Sequence, residues 1–322
     1  MQDNYQREID YLRVSVTDRC NLRCRYCLPP EGVEMVPHAE ILRLEETAEL
    51  VRAAVTVGIK KVRLTGGEPL VRKGLARLVE ILSQIPGIED LALTTNATLL
   101  AGCIPELKAA GLKRVNISLD TLKPERYAWI SGGGELKKVW AGIEAALSRG
   151  LAPVKLNTVV VRGFNDDEIA DLGRLTVDMP LHVRFIELMP FGPAREWAKD
   201  GFMPTAETQA LLEAAFGALI PARRPAGSGP ARYYALPGAK GTVGFISGVS
   251  GHICAQCNRL RLTAVGRLRT CLFAEEEVDL KAPLRAGAGL NELAQIIARA
   301  VKSKAEKRAA PSCPNVMARI GG

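Results

Sequence analysis

Aromatic side chains make up only 5% of this 322-residue chain, and no apolar run reaches the length of a membrane span. The first scarcity argues against a binder of long nucleic acid, which needs exposed rings for base stacking along a basic stripe. The second leaves no transmembrane candidate. The opening stretch Met-Gln-Asp-Asn-Tyr-Gln-Arg-Glu lacks the apolar core of a signal peptide, so a soluble, cytoplasmic protein is expected, with neither nucleic acid nor membrane among its partners. Acidic residues are in the minority as well. Against 43 Lys and Arg stand 35 Asp and Glu, and the net charge of +8 favours an anionic partner.

Cysteine is present in a telling arrangement. Of eight cysteines, six fall into two groups, while Cys103 and Cys313 stand alone and read as structural thiols. In a reducing compartment such groups serve as metal ligands or buried thiols rather than disulfides. Cys20, Cys24 and Cys27 have the spacing C-x3-C-x2-C. Three thiolates on one tight loop can hold a metal cluster and leave one position open, whereas a 4Fe-4S cluster is ordinarily closed by four. A zinc loop, or a disulfide with a spare thiol, is the alternative. The second group is Cys254, Cys257 and Cys271, spaced C-x2-C-x13-C with His252 two residues upstream, and a zinc site of three cysteines and His252 stays open there. Arg259 and Arg261 follow the pair directly; on a strand they share a face, where guanidinium forks suit phosphate oxygens.

Three segments align on one another: Gly58-Ile-Lys-Lys-Val-Arg-Leu-Thr, Gly111-Leu-Lys-Arg-Val-Asn-Ile-Ser and Gly150-Leu-Ala-Pro-Val-Lys-Leu-Asn. Each follows a helical stretch, so the repeated unit reads helix, glycine stop, short strand. Repetition of that unit implies a parallel sheet. Six strands are expected, at 12–17, 62–65, 91–94, 115–119, 154–160 and 183–187. Strands of a flat doubly wound sheet would be apolar on both faces. Here Val62/Leu64, Val115/Ile117 and Val154/Leu156 form an apolar face, and Arg63/Thr65, Asn116/Ser118 and Lys155/Asn157 a polar one. The expected fold is therefore α/β, a partial, open TIM-like βα barrel of about six units. Its lumen would carry Arg13, Arg63, Lys155 and Arg184, which are costly to bury without an anion. The cysteine loop follows the first strand and belongs at the C-terminal mouth. Residues 222–231, Ala-Arg-Arg-Pro-Ala-Gly-Ser-Gly-Pro-Ala, have the composition of a linker. The expected division is a barrel over 1–221 and a smaller C-terminal iron-sulfur unit over 222–322.

The first cysteine triad, with Tyr26 before its last member, resembles the signature of the radical S-adenosylmethionine (SAM) superfamily. Beyond it, the chain resembles the molybdenum cofactor biosynthesis protein A family, the GTP 3',8-cyclases. The residues that carry this are Leu12-Arg-Val-Ser-Val-Thr-Asp-Arg-Cys20, Arg63-Leu-Thr-Gly-Gly-Glu-Pro69, Leu93-Thr-Thr-Asn96, Asn116-Ile-Ser-Leu-Asp120, Lys155-Leu-Asn157, Val183-Arg-Phe-Ile-Glu-Leu-Met-Pro190, the Cys257-Asn-Arg-Leu-Arg261 run and the final Ile320-Gly-Gly322. The resemblance implies two 4Fe-4S clusters and SAM as cofactors. Cys20, Cys24 and Cys27 would hold the SAM cluster, with Tyr26, Gly67, Ser118 and Met189 on SAM itself. Cys254, Cys257 and Cys271 would hold a second cluster that takes the guanine of GTP. Arg13, Arg63, Thr94, Lys155, Arg259 and Arg261 would hold its ribose or triphosphate, with Lys61 a further candidate. Arg319, Gly321 and Gly322 would form a tail that reaches into the barrel and takes part in catalysis.

The implied reaction removes the ribose 3' hydrogen and joins that carbon to guanine C8. The implied partners are GTP, an electron donor such as a flavodoxin or ferredoxin, a cyclic pyranopterin monophosphate synthase that consumes the product, and a second copy in a homodimer. One departure from the family pattern is Ala97, where glycine commonly follows Thr-Thr-Asn. A radical SAM enzyme that modifies a peptide is the competing expectation; the Arg259/Arg261 pair and the polar lumen favour a triphosphate instead.

Overall fold

Glycine ends the helix before each of three strands: Gly58, Gly111 and Gly150 have φ of 103°, 103° and 69°, a left-handed stop that costs other residues about 1 kcal/mol or more. In the computed structural model, which describes residues 1–29, 31–251, 253–307 and 317–320, this punctuation spaces six βα units. Their strands are β1 (Tyr11–Ser15), β2 (Lys61–Thr65), β3 (Asp90–Thr95), β4 (Arg114–Ser118), β5 (Val154–Val160) and β6 (Leu181–Glu187). The helices between them are α1 (Leu44–Thr56), α2 (Leu75–Ser83), α3 (Leu100–Ala109), α4 (Pro124–Ser131), α5 (Leu136–Ser148) and α6 (Ile169–Asp178).

Six later strands complete the sheet: β7 (Ile220–Pro221), β8 (Arg232–Ala235), β9 (Thr242–Ile246), β10 (Arg259–Leu262), β11 (Arg267–Arg269) and β12 (Val278–Asp279). Their order is β12-β11-β10-β1-β2-β3-β4-β5-β6-β9-β8-β7, one continuous open sheet. The strands that follow residue 222 thus extend both edges of the expected six. β10 pairs parallel with β1 and β9 parallel with β6, and the outermost pairings are antiparallel.

Alternation along each strand decides what faces where. Val62, Leu64, Leu93, Val115, Ile117, Leu156 and Val183 are fully buried in the main core cluster, together with Ala48, Val51, Leu78, Leu100, Val139 and Ile143 from the surrounding helices. The lone Cys103 packs against this core as a partly buried thiol. Residues of opposite parity, Arg13, Arg63, Asn116, Lys155 and Arg184, point the other way, into the lumen. Ala97, marked above as a departure, is buried and adopts φ of 62°. No described helix is long and apolar enough to cross a membrane.

Candidate active site

Register places the cations side by side. Arg261 on β10 is the partner of Arg13 on β1, which is the partner of Arg63 on β2. Arg184 on β6 stands opposite Asn157 on β5 and donates to Asn116 Oδ1 at 2.7 Å. Arg63, Arg184 and Arg261 are at most 7% exposed. Burial, then mutual repulsion from Arg13, Arg114 and Arg184, pulls Arg63 down to about 9; burial likewise lowers Arg13, Arg184 and Arg261. Guanidinium is so weak an acid that these groups remain positive at neutral pH. Among the described residues, Arg63 Nε, Arg184 Nε, Thr94 Oγ1 and Asn157 Oδ1 are buried without a hydrogen-bond partner. A lumen of this kind fits an anion with several oxygens.

At the C-terminal mouth lies a cavity of about 280 Å³. Cys20, Cys24, Cys27, Tyr26, Gly67, Ser118 and Met189 line it together with Arg13, Arg63, Thr94, Arg259 and Arg261. The cysteine loop is pinned by its backbone: Arg23 N donates to Ser131 O at 2.8 Å and Arg25 N to Ile130 O at 2.9 Å, both at the end of α4. Leu22 N donates to Cys20 Sγ at 3.4 Å. Gly67 is required by the loop itself, since a Cβ there would stand 2.3 Å from Arg19 O. This close backbone packing is a different reason for glycine than approach to a ligand. Burial, then the neighbouring Cys27, Asp120 and Cys20, raises Cys24, and burial with Cys20 and Asp120 pushes Cys27 up to about 12. Such thiols ionise on meeting a metal rather than beforehand.

A second cavity of about 410 Å³ adjoins the first. Cys254, Cys257 and Cys271 line it with Arg7, Arg259 and Arg261. Burial alone would raise Cys257, but Arg259 and Lys304 outweigh it and bring this thiol to about 7. Arg7, ion-paired with Asp3 at 2.6 Å, clamps the region by donating to Cys254 O at 3.0 Å and Glu306 O at 2.9 Å. Lys304 donates to Arg259 O at 3.1 Å and to Thr270 O. Met189, Ile246, Arg259, Arg261 and Leu272 border both cavities.

No three described Cys, His, Asp or Glu side chains converge as ligands of one metal ion. A cubane takes one thiolate per iron, so its ligands need not meet at a single ion. Two triads, each on the wall of one cavity beside N–H donors and cations, fit iron-sulfur clusters with an open position. His252, the fourth ligand of the zinc alternative, lies outside the described residues.

Several expected contacts are placed elsewhere. Lys155 does not line either cavity, because its buried ammonium donates to Ala226 O at 2.6 Å. Lys61 is held by Asp10 at 2.5 Å, away from both. Arg319 is exposed and donates to Glu34 O at 2.8 Å, so its guanidinium points to the outside of the mouth rather than into the barrel. Met317, two residues earlier, does line the first cavity. Gly321 and Gly322 lie outside the described residues, as does Cys313.

Comparison with known proteins identifies this architecture. A model of the radical SAM superfamily matches residues 14–176, and one described as Molybdenum Cofactor Synthesis C matches 181–310. A GTP 3',8-cyclase of Pelotomaculum thermopropionicum is 60% identical over 307 residues, 95% of this chain and 94% of that protein. The chain belongs to the GTP 3',8-cyclase family. Another member, from Moorella thermoacetica, is 53% identical over the full length of both chains. The fold is also that of Streptococcus suis SuiB, with a TM-score of 0.59 at 13% identity, covering 89% of this chain and 66% of that one.

Two carboxyls of this GTP 3',8-cyclase family site were not singled out from sequence, although both lie within a quoted motif. Glu68 of Gly-Gly-Glu-Pro accepts from Leu70 N, Thr95 Oγ1 and Asn96 N at 2.7–3.0 Å, and burial raises it to about 7. Asp120 of Asn-Ile-Ser-Leu-Asp accepts from Tyr26 Oη at 2.6 Å and Val159 N at 2.9 Å; burial raises it to about 6. Glu68 shapes the turn that faces Cys20, and Asp120 orients Tyr26.

Proposed function

We propose that the chain cyclises GTP, joining ribose C3' to guanine C8 as a step of molybdenum cofactor synthesis, with the two triads dividing the work. The observation that carries this reading is the common wall: Met189, Arg259 and Arg261 border both cysteine-lined cavities, so a nucleotide held by the arginines lies between the two triads. Cys20, Cys24 and Cys27 hold one cluster, with SAM against Tyr26, Gly67, Ser118 and Met189. Cys254, Cys257 and Cys271 would hold the second, on the side of the site assigned to the guanine. When bound, the first cluster and SAM supply hydrogen-atom abstraction.

The chain's own residues bind, orient and exclude water. Arg13, Arg63, Arg259 and Arg261 take the triphosphate through charge-assisted hydrogen bonds. Thr94 and Asn157, whose buried oxygens lack partners, meet the ribose hydroxyls. Tyr26 is locked by Asp120, and the Thr95–Asn96 turn by Glu68, so the walls around the reacting ribose are already in position. We assign residues 222–322, whose strands extend the sheet of the 1–221 barrel at both edges, to substrate presentation. Gly321 and Gly322 are assigned a part in catalysis, and Arg319 before them donates to Glu34 O. A one-electron donor such as a flavodoxin or ferredoxin, a homodimer, a cytoplasmic location and a cyclic pyranopterin monophosphate synthase downstream complete the proposal. The test is anaerobic reconstitution with iron and sulfide, then SAM, dithionite and GTP. A 3',8-cyclised nucleotide is expected; SAM cleavage with GTP unchanged would overturn the reading.

A further inference from the structure

Residues 222–231 have a linker's composition, yet the structure sets Ser228, Gly229 and Pro230 against the lumen while Arg223, Arg224 and Ala226 stay exposed. Ser228 is 6% exposed, and Gly229 and Pro230 line the arginine-rich cavity. The segment is held from four strands. Lys155, near the start of β5, donates to Ala226 O at 2.6 Å and Pro225 O at 3.5 Å. Arg63 of β2 donates to Ser228 O at 3.5 Å. Asn258, just before β10, donates to Ser228 Oγ at 2.9 Å. Gly227 lies on Arg114, the first residue of β4: a Cβ there would stand 2.5 Å from the guanidinium carbon, at φ of 106°. These strands are parallel, and the cysteine loop follows the opposite end of β1. The segment therefore crosses the lumen at the end away from the cysteine mouth.

We propose that residues 225–229 are the floor of the polyphosphate channel and set how many phosphates the site accepts. This rests on the reading that the arginine-lined lumen holds the triphosphate. Ala226 O and Ser228 O carry partial negative charge, and the cations nearest them, Lys155 and Arg63, already donate to them. A terminal phosphate stops above this layer. A longer chain must push the segment out and break its bonds to Lys155, Arg63 and Asn258, which uncovers buried polar groups. The site thus takes a nucleoside triphosphate and rejects one with a fourth 5' phosphate.

The test uses reconstituted holoenzyme with SAM and measures equilibrium binding of guanosine, GDP, GTP and guanosine 5'-tetraphosphate. Affinity should rise up to GTP and fall about tenfold or more at the tetraphosphate. Gly227→Ala, which drives the segment off Arg114, should bring the tetraphosphate to within about threefold of GTP. Asn258→Ala, which releases Ser228, should shift the ratio the same way; retained SAM affinity shows that each variant is folded. A wild-type affinity that keeps rising through the tetraphosphate overturns the floor, as does a ratio that neither folded variant changes. Affinity independent of phosphate number overturns instead the triphosphate reading beneath it.

Discussion

Arg13 and Arg261, from opposite ends of the chain, are direct partners in the parallel pairing of β1 with β10. Two guanidiniums thus share one buried lumen: burial first, then Arg13, lowers the proton affinity of Arg261, and burial, then Arg259 and Arg184, lowers that of Arg13. Without an anion this pairing costs stability.

Arg261→Met should therefore leave the ligand-free protein as stable as the wild type or more stable, by about 1 kcal/mol in chemical denaturation. The same change should weaken GTP binding about tenfold or more while SAM binding changes little. A large loss of stability, or equal losses for both ligands, would make Arg261 a structural residue.

Iron content separates the triads. The wild type should reconstitute with about eight irons and each cysteine variant with about four. Cys24→Ala should abolish SAM cleavage. Cys257→Ala should keep some uncoupled SAM cleavage while losing cyclised product. One zinc at the second site of a fully active preparation would refute this division.

Acid should act through Glu46, which starts α1. It accepts from Arg43 N at 2.7 Å and from Arg285 Nε at 2.9 Å. Burial alone would raise it, but these partners prevail and bring it from 4.5 to about 2. A depressed carboxyl stabilises fully above its unfolded value, and the contribution is lost as pH falls through the folded one. Glu46→Gln should lower the melting temperature at pH 7 and leave it nearly unchanged at pH 2. Equal effects at both values would point to packing rather than charge.

Removal of Gly321 and Gly322 should spare folding and both clusters yet reduce cyclisation about tenfold or more. Product formed at the full-length rate would show the tail to be dispensable.

Ala97 and Gly227 show how unevenly a sequence speaks. Local order determined the βα repeat, because a helix period, a left-handed glycine and an alternating strand are all properties of neighbours along the chain. The same alternation placed Arg63 and Asn116 on the lumen face, and the spacing of Cys20, Cys24 and Cys27 marked three thiols on one tight loop. Ala97 could be marked as a departure, but its left-handed backbone is visible only in the folded turn. Tertiary structure alone decided that β10 lies against β1 and sets Arg261 beside Arg13, since strand neighbourhood depends on contacts between distant segments. It also gave Lys155 to Ala226 O, turned Arg319 to the outside, and made the segment around Gly227 part of the barrel. Small, flexible residues have the same composition in a solvated linker and in a tightly held floor; what distinguishes them is the set of buried donors that the rest of the chain brings to their carbonyls.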